Sequence, residues 1–228
     1  MRPIFYKKLK FFSLLFVFSF SFCLFPYLTA CKKTIDYFSY VSELRDNIFL
    51  AESEDFSLRI YSVQKESPYI ADGIPQESSA RTELYLLAPT NCEPYSIHFN
   101  IAGKEYGGEL SYDNVKSEYY LYLSLDLSKE KSLSCRLEYN AECVELEANS
   151  VLCGEEIPPK TLLQNLQTEN ADLFSAMTDK YGFCGEIYFR LIYEGSPYYY
   201  VGIIHRNGEI TAFLINAKTG KTLARRNS

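Results

Sequence analysis

Hydrophobic side chains recur at every second position between residues 56 and 146, and this period limits the fold more than any other feature. The groups are Phe56, Leu58 and Ile60; Leu84 and Leu86; Ile97, Phe99 and Ile101; Leu121, Leu123, Leu125 and Leu127; Leu133, Cys135 and Leu137; and Val144 and Leu146. Because successive side chains of a strand point to opposite faces, this pattern predicts strands with one buried side.

Turn-forming residues separate the predicted strands. They include Ser67-Pro68, Asp72-Gly73, Ala102-Gly103, Asp113-Asn114 and Ser128-Lys129. Short strands with turns at this spacing are typical of an antiparallel sandwich. We therefore expect a β-sandwich-like domain over residues 51–153. Gly154 to Pro159 then reads as a linker, because two consecutive prolines cannot continue a strand ladder.

Residues 158–228 predict a different arrangement, with one helix followed by strands. Leu162, Leu166, Leu173, Met177 and Tyr181 lie at helical spacing and favour a helix from Thr161 to Tyr181. Three strands and a final turn follow, and Asn207-Gly208 predicts a two-residue hairpin with Arg206 opposite Glu209. The expected fold class is α+β: a sandwich-like domain followed by a small module of one helix and an antiparallel sheet.

The segment between residues 31 and 50 has a helical period instead. Phe38, Val41, Leu44 and Ile48 would share one side of a helix. The period predicts a short helix that connects the N-terminal segment to the first domain.

The end of the chain resembles a PepSY-type module. Such modules close with a strand, an Asp-Ala-x-Thr-Gly-Lys turn and a Leu, and here Asn216-Ala217-Lys218-Thr219-Gly220-Lys221 precedes Thr222 and Leu223, with Asn in place of Asp. The resemblance covers about residues 160–225. It implies a regulatory or inhibitory role toward peptidases of the cell envelope, and no catalysis.

The N-terminus carries the marks of export. Arg2, Lys7, Lys8 and Lys10 precede an uncharged apolar stretch from residue 11 to residue 30, which ends in Leu28-Thr29-Ala30-Cys31. This ending resembles the lipobox of bacterial lipoproteins, which implies cleavage after Ala30 and lipidation of Cys31. Residues 1–30 are then a signal peptide, and the rest is anchored to the extracytoplasmic face of the cell membrane. The alternative is an uncleaved signal-anchor helix, since twenty apolar residues can span a bilayer.

The charge of the exported part excludes some partners. Of 23 basic and 29 acidic residues, residues 1–30 hold four basic and no acidic ones, which leaves a net charge of −10 on residues 31–228. An acidic chain is poorly suited to bind nucleic acid or anionic lipid by charge.

Five cysteines remain after Cys31, namely Cys92, Cys135, Cys143, Cys153 and Cys184. Their odd number and spacing show no disulfide framework, although Cys135 and Cys143 flank an expected turn at Tyr139-Asn140 and could face each other. The alternative is that these two are small core residues. No metal or cofactor motif is present.

Catalytic motifs fail when their context is considered. Cys184 with His205 or His98 could in principle supply a nucleophile and a base, but both histidines fall where solvated side chains are common. We therefore expect a protein that is not an enzyme.

With catalysis excluded, the remaining function is binding of a partner by the protein surface. The candidate residues for this binding are Tyr198, Tyr199 and Tyr200. Alternate tyrosines would cover the helix-packed side of the sheet, while the others could present rings to a partner. The expected function is a lipid-anchored binding or regulatory protein that acts on an envelope peptidase or another protein. The alternative is a structural or accessory lipoprotein of the envelope.

Overall fold

Strands dominate the architecture. The structure is a computed structural model that describes residues 35–67, 74–90 and 94–228, with 56% strand and 12% helix. The strands are β1 (Val41–Glu52), β2 (Ser57–Glu66), β3 (Ser78–Leu87), β4 (Ser96–Ile101), β5 (Lys104–Glu109), β6 (Ser111–Asp113), β7 (Glu118–Leu123), β8 (Ser132–Tyr139), β9 (Glu142–Ser150), β10 (Thr178–Asp179), β11 (Gly182–Phe183), β12 (Glu186–Tyr193), β13 (Pro197–Ile204), β14 (Ile210–Asn216) and β15 (Thr222–Asn227). The helices are α1 (Pro159–Glu169) and α2 (Ala171–Ala176), with a 3-10 turn at Tyr37–Tyr40.

Strands β1 to β9 form a nearly closed, antiparallel, barrel-like sheet. One half has the order β1-β2-β3-β7-β6, and the other has the order β9-β8-β4-β5. The halves join where Phe49 and Leu50 of β1 pair with β9. On the opposite side β5 continues into β6 through Leu110, whose N–H donates to the Tyr95 carbonyl at 2.8 Å.

The α+β prediction is therefore wrong, and so is the separate sandwich within it. The alternating strands are real, but β1 and the β5–β6 segment each cross from one layer to the other, so that the layers become one curved sheet. The barrel interior is filled by the alternating side chains. They include Leu58, Ile60, Leu84, Leu86, Ile97, Phe99, Leu133, Cys135, Leu137 and Leu146, all buried.

The C-terminal strands extend the same sheet. β12 pairs with β1 in parallel, with Leu44 beside Phe189, and β13, β14 and β15 follow in antiparallel order. Asp36–Ser228 forms one compact unit.

The helix predicted between residues 31 and 50 is wrong in the part that the structure describes. Only the 3-10 turn is helical there, and Val41–Glu52 is β1. β1 pairs with β2, β9 and β12 along different parts of its length, so its backbone groups are satisfied by three neighbours. Long-range pairing thus overrides a weak local helical period.

The long helix predicted from Thr161 to Tyr181 is two short ones. Leu162, Leu163 and Leu166 of α1 are buried, and the helix ends at Glu169. The Asn170 side chain then donates to the Leu166 carbonyl at 3.0 Å. An Asn side chain that bonds the backbone in this way competes with helix continuation, and the chain starts again as α2.

The hairpin at Asn207-Gly208 exists, but its turn is longer than predicted. Of the two residues only Gly208 has a positive φ, +85°. The Gly208 N–H donates to the His205 carbonyl at 2.9 Å, and the His205 N–H donates to the Glu209 carbonyl at 2.8 Å. This is a type I turn followed by a left-handed glycine. His205, and not Arg206, therefore stands opposite Glu209.

Cys31 and the segment before it lie outside the described residues. Within the described ranges, no helix is both long and apolar enough to cross a membrane.

Candidate functional site

The three tyrosines predicted to bind a partner lie on β13 and divide between two sides of the sheet. Tyr199 is only 2% exposed, and its ring centroid lies 5.0 Å from that of Phe189. Tyr198 and Tyr200 are half-buried on the opposite side. Tyr199 is thus part of the core, whereas its two neighbours are accessible.

The accessible side continues across the sheet and carries further tyrosines. Cross-strand pairing places seven of them on this side, which we call the tyrosine face: Tyr61, Tyr85, Tyr120, Tyr122, Tyr188, Tyr198 and Tyr200. The most exposed is Tyr122, at 43%. The sequence named only the three β13 tyrosines as candidate binding residues, because the register that unites them with the rest depends on the β1–β12 pairing.

Four of these rings form a continuous cluster on β2, β3 and β7. The ring centroids of Tyr61 and Tyr85 lie 5.7 Å apart, those of Tyr85 and Tyr122 lie 6.2 Å apart, and those of Tyr120 and Tyr122 lie 5.2 Å apart. The Tyr85 hydroxyl donates to Glu83 at 3.2 Å. Burial, with the hydrogen bond to Tyr122 and the Glu83 charge, raises the pKa of Tyr85. The Tyr85 phenol is therefore neutral, and the four rings form one aromatic patch on the accessible side.

A row of arginines crosses the same side. Arg81 of β3 stands opposite Val63 of β2, Val63 stands opposite Arg45 of β1, and Arg45 lies beside Arg190 of β12. The guanidinium carbons lie over tyrosine rings: Arg45 is 4.1 Å from the Tyr61 centroid, Arg81 is 3.9 Å from that of Tyr122, and Arg190 is 4.9 Å from that of Tyr188. Stacking of this kind holds a guanidinium in place and keeps its edge free for hydrogen bonds.

Two glutamates lie between the arginines. Glu43 accepts two hydrogen bonds from Arg190 and lies 3.6 Å from the Lys65 ammonium, and Glu83 lies 3.2 Å from Arg81. Burial acts to raise the pKa of Glu43, but the hydrogen bonds and charge of Arg190, with the charge of Lys65, outweigh it, so the pKa lies below its usual value. Glu43 is ionised and ties β1 to β12.

Arg45 has no such partner. Among the described residues, no carboxylate lies within ion-pair distance of its guanidinium, and its buried Nε has no hydrogen-bond acceptor.

Asp46, the next residue, is the extra residue of a β-bulge in β1. Burial raises its pKa to about 6, the negative charge of Asp126 adds to the rise, and the Ser62 hydroxyl only partly opposes it. An acid whose folded pKa lies above its unfolded value binds more protons in the native state, so stability falls as pH rises through that interval.

We expect Asp46→Asn to remove a loss of stability that wild type shows between pH 4 and pH 6. Above pH 6 the variant should be more stable than wild type by roughly 2 kcal/mol. A shift of two pKa units corresponds to about 2.7 kcal/mol, and the remaining solvent contact of Asp46 reduces the effect. Urea unfolding at several pH values measures the difference. Asp55→Asn, in the exposed β1–β2 loop, is the matched control, and a pH dependence equal in all three proteins would contradict the expectation.

One pocket in the C-terminal part brings together the cysteine and one of the two histidines that were considered as nucleophile and base. Cys184 and His205 both line it, with Asp179 and Arg206. Desolvation raises the pKa of the Cys184 thiol, and the neighbouring Asp179 carboxylate adds to the rise. A nucleophilic cysteine needs the opposite shift, and the His205 Nε2 lies 3.1 Å from the Thr211 hydroxyl. His98 is on β4, paired with Gly107.

The cysteine pairing considered across the β8–β9 turn does not form. The turn lies one residue later than predicted, at Asn140-Ala141, where both residues have positive φ. Cys135 is buried opposite Leu146, and Cys143 is exposed opposite Glu138. Cys92 lies outside the described residues. In the part of the chain that the structure describes, no group of three His, Cys, Asp or Glu side chains could hold a metal ion.

Comparisons of this chain with protein-family models, with curated proteins and with solved structures find no match.

Proposed function

We propose that this chain is a lipid-anchored, extracytoplasmic binding protein without catalytic activity, and that it holds a protein partner on its tyrosine face. The observation that carries the proposal is the joint placement of seven tyrosines and three stacked arginines on one side of one sheet.

The composition of this side supports a protein partner. Tyr and Arg are enriched among the residues that dominate binding energies at protein interfaces. Tyrosine supplies a large contact area with few rotatable bonds, so it loses little entropy on binding. Here stacking and ring–ring contacts already restrict many of the side chains, which lowers that cost further.

The anchor is proposed from the sequence around Cys31. Two acyl chains on one cysteine give stable membrane attachment, whereas a single chain gives only marginal attachment. The resemblance of residues 160–225 to PepSY-type modules suggests a peptidase or another envelope protein as the partner.

We expect Cys31→Ser to abolish lipid attachment and cleavage after Ala30, because the thiol is the acceptor of the lipid. Labelling of cells with a fatty-acid analogue, followed by a gel shift for the uncleaved chain, measures both. Incorporation of labelled fatty acid by the variant would contradict lipidation of Cys31. The tyrosine face is tested by a separate experiment.

The binding face is tested with Tyr122→Ala in the full chain. We expect capture of the native envelope partner by Tyr122→Ala to fall at least about fivefold, the change that corresponds to a loss of about 1 kcal/mol. Tyr181→Ala is the matched control: Tyr181 is 84% exposed but lies between β10 and β11, away from the tyrosine face. Equal capture by both variants would refute the proposed face.

A further inference from the structure

We infer that the arginine row of β3, β1 and β12 receives carboxylate groups from an acidic protein surface, with Arg45 as the central contact. This inference rests on the proposed function, and it names the chemistry of the partner.

The row is unfavourable without a counter-charge. Like charges side by side on neighbouring strands destabilise a sheet, and Arg45 lies directly beside Arg190. Arg190 is neutralised by Glu43, and Arg81 by Glu83. Arg45 forms no ion pair within the described residues, and it shares only the more distant charge of Glu43, which already binds Arg190. An anion bound at the outer edge of the guanidinium would supply the missing counter-charge.

The charge around the arginine row determines which kind of partner it attracts. Residues 31–228 carry a net charge of −10, yet the strip formed by Arg81, Lys65, Arg45 and Arg190 contains four cations and only two carboxylates, Glu43 and Glu83. Farther out, Glu118 neutralises Arg59 at 2.7 Å and lies 3.8 Å from Lys116. The excess of positive charge is therefore concentrated at the centre of the row, which favours an anionic partner and opposes a symmetric dimer in which the row would face itself.

Carboxylates of a protein fit this centre better than a glycan or a lipid surface. A guanidinium held flat on a ring presents a planar fork that matches a carboxylate in two parallel hydrogen bonds. The half-buried tyrosines beside it belong to a residue type that is enriched at protein interfaces. The chain contains no tryptophan for stacking sugar rings. A continuous anionic membrane surface would also face the acidic remainder of the chain, whereas an acidic patch on a protein faces the row alone.

The test uses the full-length protein with poly-L-glutamate as the probe, and dextran sulfate and anionic phosphatidylglycerol vesicles as comparators. We expect wild type to bind poly-L-glutamate with an affinity that falls as salt rises, and Arg45→Gln to lower that affinity about fivefold to tenfold. Arg136→Gln is the matched control, because Arg136 is a half-buried arginine of β8 with its own glutamate partners. Arg81→Gln provides the same comparison if Arg45→Gln does not fold.

No binding of poly-L-glutamate by wild type, or equal binding by Arg45→Gln and Arg136→Gln, would overturn the inference. Tighter binding of dextran sulfate or of vesicles, with the same dependence on Arg45, would also overturn it, in favour of a glycan or a membrane surface. The proposed function is judged separately: if Tyr122→Ala loses the partner while Arg45→Gln keeps it, the binding face stands and only the carboxylate chemistry is wrong.

Discussion

Tyr199→Ala should destabilise the protein by about 3–5 kcal/mol, the range measured when a large buried aromatic side chain is truncated. Tyr199 is 2% exposed and packs against Phe189 at 5.0 Å between ring centroids. Its removal leaves a cavity on the buried side of β13, which adjacent strands cannot close without moving. Urea unfolding followed by circular dichroism measures the change.

Tyr200→Ala is the control for this prediction, because Tyr200 is the next residue on the same strand and is half-buried on the other side. We expect a cost of about 1 kcal/mol or less, as for other substitutions away from the core. A larger loss for Tyr200→Ala than for Tyr199→Ala would mean that β13 has the opposite orientation.

Gly107→Ala should cost at least about 3 kcal/mol, because the position combines backbone strain with a steric clash. Its φ is +142°, and an added Cβ would lie 1.9 Å from the Ile97 carbonyl oxygen and 2.8 Å from the His98 Cα. Both contacts are with the backbone of β4, so no side-chain rotation can relieve them. The glycine stands in β5, just before the strand turns into β6 and closes the barrel.

Gly108→Ala separates the clash from the strain. Gly108 also has a φ in the glycine-favoured region, +154°, but its added Cβ would meet nothing within 4 Å. We expect a distinctly smaller loss of stability in thermal unfolding than for Gly107→Ala. Equal losses would show that the close approach of β5 to β4 is not what limits this position.

The strands of the barrel could be predicted from sequence because one side of each is buried. The alternation of Leu58 with Arg59, or of Leu133 with Ser134, records the inner and outer sides directly. The β8–β9 turn could be predicted to within one residue for the same reason, since turn residues interrupt the pattern, and it lies at Asn140-Ala141. Local period does not record which strands become neighbours, so the closure through Leu110 could not be predicted.

The error at β1 has a related cause. Leu44 and Ile48 are four residues apart and imitate one side of a helix, but a bulge at Asp46 shifts the phase of the strand. A two-residue period that is interrupted by one extra residue resembles a helical period over a short window. The parallel pairing of β1 with β12, about 145 residues away in sequence, then fixes the segment as a strand.

The candidate site could be predicted only in part for the same physical reason. Tyr198 and Tyr200 stand out as a local cluster, and alternation predicts that they share a side without Tyr199. Arg45, Arg81 and Arg190 are far apart in sequence. They form one row only because β3, β2, β1 and β12 pair side by side, and the local sequence does not record this pairing.

The central claim, that the tyrosine face holds a protein partner, is tested most directly by photo-crosslinking in intact cells. A benzophenone amino acid is placed at position 122 on the face, and separately at position 181 between β10 and β11, in the full-length chain. We predict that illumination yields one discrete crosslinked protein from position 122 and none of that protein from position 181. The same crosslinked band from both positions, or from position 181 alone, would contradict the claim.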